Sequence, residues 1–376
     1  MTTLLHSATR IDERGEVPDA WVLLDGDTIA ASGAGRGAPD AGDRIDLDGA
    51  IMVPGFVDLH GHGGGGHAYD DGGAELAAAL SAHRAHGTTR ALISLVANPL
   101  AELRERLAEI AELTATDPLV LGAHLEGPYL AAERRGAHNA DYLRTPDTAD
   151  IDRLLDAAAG TLRQLTLAPE LPGALDAIPQ LVAAGVTVAV GHTEASAEQT
   201  RAAFDAGARM LTHAFNAMPG IHHRAPGPVV AALDDDRVTL ELILDGVHVH
   251  ADVARLLFEQ APGRVALVTD AMAAAGADDG DYRLGSLNVS VREGLAHLSG
   301  TSTIAGSTLT QDAALRRALG MGIPAPAAVA ALTSAPARAI GLGARLGLLE
   351  QGYAADIVVL DGTHHVTGVW AAGRRL

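Results

Sequence analysis

Across residues 51–270, short apolar runs alternate with segments of helical period, and run after run stops at a histidine or an acidic residue. Parallel strands need a crossover to return the chain to the same edge, so this alternation is how βα units around a parallel sheet look in sequence. The candidate strands are 51–59, 89–95, 119–125, 162–168, 186–190, 210–212, 238–244 and 265–269. Candidate helices lie between them at 75–86, 99–114, 149–159, 174–184, 197–206 and 251–260, several closed by a glycine such as Gly87, Gly185 or Gly207. The sixth connection shows no clear helix. Eight strands predict an α/β fold, a (β/α)8 TIM-like barrel, with a doubly wound sheet as the alternative.

The ends read differently. Ala20-Trp-Val-Leu-Leu runs into the turn Asp25-Gly-Asp, and near the C-terminus Ala355-Asp-Ile-Val-Val-Leu runs into Asp361-Gly, followed by Val366-Thr-Gly-Val-Trp. We expect residues 1–50 and 345–376 to join in one discontinuous β-sandwich domain beside a barrel of residues 51–344. Within the latter, 282–298 reads as a hairpin, and 308–319 and 324–340 as two closing helices.

Composition removes whole classes of chemistry. All 27 basic residues are arginine, and cysteine is absent. Schiff-base and phosphate-loop lysines are thereby excluded, as are thiolate nucleophiles, thiolate ligands and disulfides. A net charge of -20 offers no basic face for a nucleic-acid backbone. No run approaches the ~20 apolar residues of a membrane span, and Met1-Thr-Thr-Leu-Leu-His-Ser lacks a basic segment followed by an apolar one. The expectation is a soluble, cytoplasmic protein with neither nucleic-acid nor membrane partners.

In a barrel the C-terminal strand ends form one rim, so residues there converge. The first strand leads to His60-Gly-His, the third to Glu126-Gly-Pro, the fifth to Gly191-His-Thr, the sixth to His213, the seventh to Asp245-Gly-Val-His and the eighth to Asp270. His60 and His62, two apart in extended chain, project to one side and can grip one ion. Imidazoles and carboxylates without thiolates suit a divalent cation, zinc first, with iron or manganese as alternatives. The glycines 63–66 make a poor nucleotide loop, since no lysine follows. His83, His86, His6, His297, His364 and His365 read as solvated or simply hydrogen-bonded, His67 is ambiguous, and Glu170 reads as structural support. Arg224 in His222-His-Arg is a local cation suited to an anionic group, with an exposed salt bridge as the plainer reading.

Val53-Pro-Gly-Phe-Val-Asp-Leu-His-Gly-His, His124-Leu-Glu-Gly-Pro-Tyr, Leu167-Ala-Pro-Glu, Gly191-His-Thr, Thr212-His-Ala-Phe-Asn-Ala-Met, Asp245-Gly-Val-His and Val268-Thr-Asp-Ala together resemble the N-acetylglucosamine-6-phosphate deacetylase family of the amidohydrolase superfamily. The resemblance covers most of the chain. It implies removal of acetate from an amino-sugar phosphate by one or two divalent ions per subunit. Glu126, His192 and His213 match the principal metal ligands, and His60 with His62 leaves room for a second ion bridged by Glu126. Asp270 matches the general acid/base; His138, Asn216, Ala217, Arg224 and His248 match substrate-contacting positions, the last four around the phosphate. In that family the arginine comes from the neighbouring subunit, which implies a homodimer. Ala225 departs from the pattern, where an acidic residue often follows the arginine. Other possibilities are the galacto epimer as substrate, a cyclic-amide hydrolase or base deaminase, and a non-catalytic binder of metal or sugar phosphate.

Overall fold

A computed structural model describes residues 2–376. The chain opens on five strands, β1 (Thr2–Asp12), β2 (Gly15–Asp25), β3 (Thr28–Ala34), β4 (Asp43–Asp46) and β5 (Ile51–Pro54). There follow β6 (Phe56–Asp58), a small hairpin of β7 (Gly63–Gly64) and β8 (His67–Ala68), α1 (Gly73–Ala85), β9 (Thr88–Leu95), α2 (Leu100–Thr116), β10 (Val120–Glu126), α3 (Thr148–Ala158) and β11 (Leu162–Leu167). Next come α4 (Ala174–Ala183), β12 (Thr187–Val190), α5 (Ala197–Ala206), β13 (Met210–Leu211), α6 (Gly227–Leu233), β14 (Thr239–Ile243), α7 (Ala251–Gln260) and β15 (Val265–Val268). A meander of β16 (Gly280–Leu284), β17 (Leu287–Arg292) and β18 (Leu295–Leu298) precedes α8 (Gln311–Gly320), α9 (Ala325–Leu332) and α10 (Ser334–Ala339), and the chain ends on β19 (Ile357–Leu360), β20 (Val366–Ala371) and β21 (Arg374–Arg375).

Eight parallel strands form one sheet in the order β15-β14-β13-β12-β11-β10-β9-β6. Helices cover its outer face and side chains fill its interior, so every residue of β9 and β10 is buried, the polar Arg90, Ser94, His124 and Glu126 among their apolar neighbours. Closure of β6 against β15 occurs at the C-terminal rim. Asp270 N–H donates to the His60 carbonyl at 2.8 Å and His62 N–H to the Ala271 carbonyl at 2.7 Å. Below these bonds the Asp58 carboxylate accepts from Thr269 through its N–H at 3.2 Å and its hydroxyl at 2.6 Å. The expected barrel is present.

Local differences from the sequence reading have physical causes. The run 51–59 is two strands: Ile51–Pro54 pairs with β1 and β19, and only Phe56–Asp58 pairs with β9. Gly55 makes the switch, because a Cβ there would lie 2.2 Å from Thr89 Oγ1. The sixth connection does contain a helix, α6, whose seven residues begin Gly-Pro and give too few turns to show a period. The run 324–340 breaks at Thr333 into α9 and α10. Pro336 has no N–H to bond back to the preceding turn, so the helix restarts with that proline in its first turn. The predicted hairpin is a three-stranded meander.

The terminal strands form a separate sheet, β21-β20-β19-β5-β1-β2-β3, with β4 paired to β1. Leu5, Val22, Leu24, Met52, Ile357 and Trp370 share its apolar cluster. Arg90 on β9 ties barrel to sheet by donating to Asp356 from Nε at 2.6 Å and Nη2 at 3.1 Å. Among the described residues, no helix is long and apolar enough to cross a membrane.

Candidate active site at the barrel mouth

Six side chains named from the sequence converge at the rim. Glu126 is the last residue of β10, and His192, His213 and Asp270 each stand two residues beyond their strands. All three of the latter take positive φ, +48°, +25° and +46°. Non-glycine residues rarely occupy that region, and each such conformation costs about 1–3 kcal/mol. The bend turns a side chain that would continue along the strand into the barrel mouth instead.

The hydrogen-bond pattern fixes what these groups present to one another. His192 Nδ1 lies 2.8 Å from the Arg134 carbonyl, which can only accept, so the neutral ring carries its proton there and turns a bare Nε2 inward. That nitrogen is 2.9 Å from Glu126 Oε1 and 3.0 Å from His213 Nε2. His60 is held in the same way, with Nδ1 3.2 Å from Glu241 Oε2 and Nε2 3.2 Å from His62 Nε2. His62 Nε2 lies 3.1 Å from Glu126 Oε2 and 3.4 Å from Asp270 Oδ1.

Potential ligand atoms thus gather in two overlapping sets, His60, His62, Glu126 and Asp270 on one side and Glu126, His192 and His213 on the other, each within 4.8 Å, with the bare Nε2 of His60 and of His192 turned toward the Glu126 carboxylate. Such a set needs a proton or a cation at its centre. Nitrogen and oxygen donors, buried and free of thiolate, fit a divalent ion.

The electrostatics agree. Burial opposes protonation of His60 and His62, yet the carboxylates of Glu126 and Asp270 outweigh it, raising His60 well above the ordinary imidazole range and His62 to about 9. Conversely, burial would raise Asp270, but His60 and His62 hold it down to about 2. Glu126 is held well below the usual carboxylate range against its burial, chiefly by His60 and His138. His138 itself is lowered by burial.

A cavity of about 460 Å³ opens above these groups. His138, Asn216, Ala217 and His248, the residues that match substrate-contacting positions in the resemblance, are among those lining it. Ala97 N–H donates to His138 Nδ1 at 3.2 Å, so the neutral ring carries its proton on Nε2, 3.2 Å from Glu126 Oε2. His248 is raised above its usual value because Asp245, 2.7 Å from its Nδ1, outweighs burial. Arg224 is not brought to the cavity within one chain; it stands exposed, its Nη1 2.7 Å from His223 Nε2.

The plainer readings hold for several other residues. His83 Nε2 bonds the Gly63 carbonyl at 2.8 Å and His86 faces Asp312; His67, ambiguous in the sequence, faces Glu75. Glu170 braces the loop after His192 by accepting from Thr193 and from Glu194 N–H.

Sequence reasoning missed two features. Glu241, fully buried inside β14, accepts from Gln164 Nε2 at 2.6 Å as well as facing His60. Arg134 and Arg135 line the cavity from the loop after β10. An acidic residue flanked by leucines in a central strand was the available signal for Glu241, and the doublet in Glu133-Arg-Arg for the other two.

The family model described as the amidohydrolase family matches residues 51–376. The chain belongs to the amidohydrolase family. This amidohydrolase is 37% identical over 379 residues to the N-acetylgalactosamine-6-phosphate deacetylase of Escherichia coli O157:H7, covering 100% of this chain and 99% of that one. It is 34% identical to the N-acetylglucosamine-6-phosphate deacetylase of Vibrio furnissii, covering 95% and 90%. Among solved structures, the N-acetyl-D-glucosamine-6-phosphate deacetylase of Mycobacterium smegmatis, determined as a mutant in complex with N-acetyl-D-glucosamine-6-phosphate, superposes on the amidohydrolase with a TM-score of 0.95 at 44% identity, covering 100% and 99%. The Thermotoga maritima N-acetylglucosamine-6-phosphate deacetylase gives 0.89 at 28%, covering 99% of each.

Proposed function

We propose that the protein hydrolyses the N-acetyl group of N-acetylglucosamine-6-phosphate to glucosamine-6-phosphate and acetate. The observation that carries this reading is the gathering of four imidazoles and two carboxylates, Glu126 shared and Asp270 at the edge, beneath a cavity of about 460 Å³. Full-length likeness to deacetylases of such substrates supports it. Glu126, His192 and His213 are the principal metal ligands in this reading, and His60 and His62 complete a second position sharing Glu126. Zinc suits the donor set best, with iron or manganese as alternatives.

An acetamide resists hydrolysis because resonance makes its carbonyl a weak electrophile and because its amine leaves poorly. A divalent ion bound here would polarise the carbonyl and acidify water at neutral pH. The remaining work falls to the chain. Asp270, ionised at neutral pH, takes a proton from the attacking water and returns it to the departing nitrogen. His138, at the cavity wall with its Nε2–H directed at Glu126, contacts the substrate in this reading and steadies that carboxylate. His248, Asn216 and Ala217 hold the phosphate, so binding energy far from the carbonyl fixes its position.

Arg224, which does not line its own chain's cavity, serves the neighbouring copy in a homodimer in this reading. We place the enzyme in the cytoplasm, in keeping with a chain free of cysteine. The relative from Escherichia coli favours the galacto epimer as a second reading. Acetate release from the two 6-phosphates, with metal-stripped and reconstituted protein, tests both; no acetate from either sugar refutes the assignment.

A further inference from the structure

We propose that Arg134 and Arg135 supply, within each chain, the guanidinium groups that receive the substrate's phosphate. The proposal rests on the deacetylase reading and adds a cation source that the family resemblance does not provide.

These are the two arginines among the cavity's lining residues. A phosphate dianion entering the cavity meets Glu126, Glu133 and Asp270 on its walls, in a chain of net charge -20. Against those carboxylates one chain otherwise offers only imidazoles, because its Arg224 stands outside. Guanidinium groups pair with phosphate through two parallel donors, which an imidazole cannot do.

Location points the same way. Arg134 Nε pairs with Glu194, and the residue before it, Thr193, donates its N–H to the Ala217 carbonyl at 3.1 Å. The arginine loop is therefore joined, through 193–194, to the Asn216–Ala217 segment assigned to the phosphate. Arg135 has no carboxylate partner among the described residues; its Nη1 donates to the Ala132 carbonyl at 3.1 Å. A solvated guanidinium at a cavity wall is free to turn toward an incoming anion.

The contact from this loop to His192 is made by the Arg134 backbone carbonyl. Replacing either side chain leaves that bond in place; Arg134→Gln also breaks the pair with Glu194, whereas Arg135→Gln disturbs no ion pair among the described residues. Arg134→Gln, Arg135→Gln and the double variant are compared with Arg104→Gln, which removes a charge from the exposed face of α2. Acetate release gives KM for the sugar 6-phosphate and for unphosphorylated N-acetylglucosamine; calorimetry with inorganic phosphate on reconstituted protein gives Kd independently of turnover; elemental analysis gives metal content.

We expect KM for the phosphorylated substrate and Kd for phosphate both to rise about 10–100-fold in the double variant, the size of a lost charge-assisted pair. Metal content should be unchanged and Arg104→Gln within about twofold of the unaltered protein. Values for the double variant within twofold of the unaltered protein overturn the proposal, as does an equal loss on the unphosphorylated amide. If the unaltered protein releases no acetate while the double variant still loses phosphate affinity, the deacetylase reading falls and the anion site stands.

Discussion

Glu241→Leu removes a buried carboxylate that no sequence motif marks. Its two firm contacts are His60 Nδ1 at 3.2 Å and Gln164 Nε2 at 2.6 Å, with His213 N–H at a longer 3.4 Å. Leucine accepts nothing, so two buried donors lose their partner at about 1–3 kcal/mol each, or about 2–6 kcal/mol together. Gln164 has no reserve, since its Oε1 is already buried without a partner. His60 loses in addition the group that keeps its proton on Nδ1 and its bare Nε2 turned inward, and loss of such a supporting partner weakens metal binding about 10–100-fold. Urea denaturation of the metal-stripped variant reads the first effect, and competition with a chelator reads the second. Glu241→Gln, which keeps one acceptor oxygen, should recover part of both. If the leucine variant unfolds within about 1 kcal/mol of the unaltered protein and holds metal equally well, the account of Glu241 as the brace of His60 is refuted.

Asp270→Asn should retain metal by elemental analysis while acetate release falls by several orders of magnitude; near-normal turnover removes Asp270 from the proton transfer. The metal-stripped protein should lose stability as pH rises from about 6.5 to about 9, because imidazoles whose folded values lie above their unfolded ones stabilise only while protonated. Melting temperatures across that range should fall for stripped protein and stay flat for reconstituted protein, where cations replace the protons; parallel slopes contradict this. Asp356→Ala leaves the buried guanidinium of Arg90 without its carboxylate and should cost about 3–5 kcal/mol in urea denaturation; a loss below about 1 kcal/mol would show the pair is not what joins barrel to terminal sheet.

The barrel was readable because parallel strands covered on both faces are mostly apolar, and the site because polar residues cluster at the strand ends. The same logic concealed Glu241. A lone acid between Leu240 and Leu242 resembles an outward-facing residue, and only closure of the sheet brings Gln164 and His60 to it. The left-handed backbone of His192, His213 and Asp270 was equally invisible, since none is a glycine. Arg134 and Arg135 were passed over because nothing local says that a loop after the third barrel strand folds back over the fifth. Helix α6 escaped notice through its shortness, and Ile51–Pro54 because a sheet-switching strand and a continuing one have the same composition.

The bonds joining His60 to Asp270 and His62 to Ala271 have a consequence for biosynthesis. They fasten the first stave of the barrel to the last, and the donors of one half-site sit on both. A nascent chain that has emerged only as far as β14 already holds five of the six donors, yet lacks Asp270 and the strand that pins His60 and His62 in register. Ion capture by the complete set therefore waits for translation to pass residue 270, and a fragment ending earlier is left with an open seam and its paired histidines unmoored.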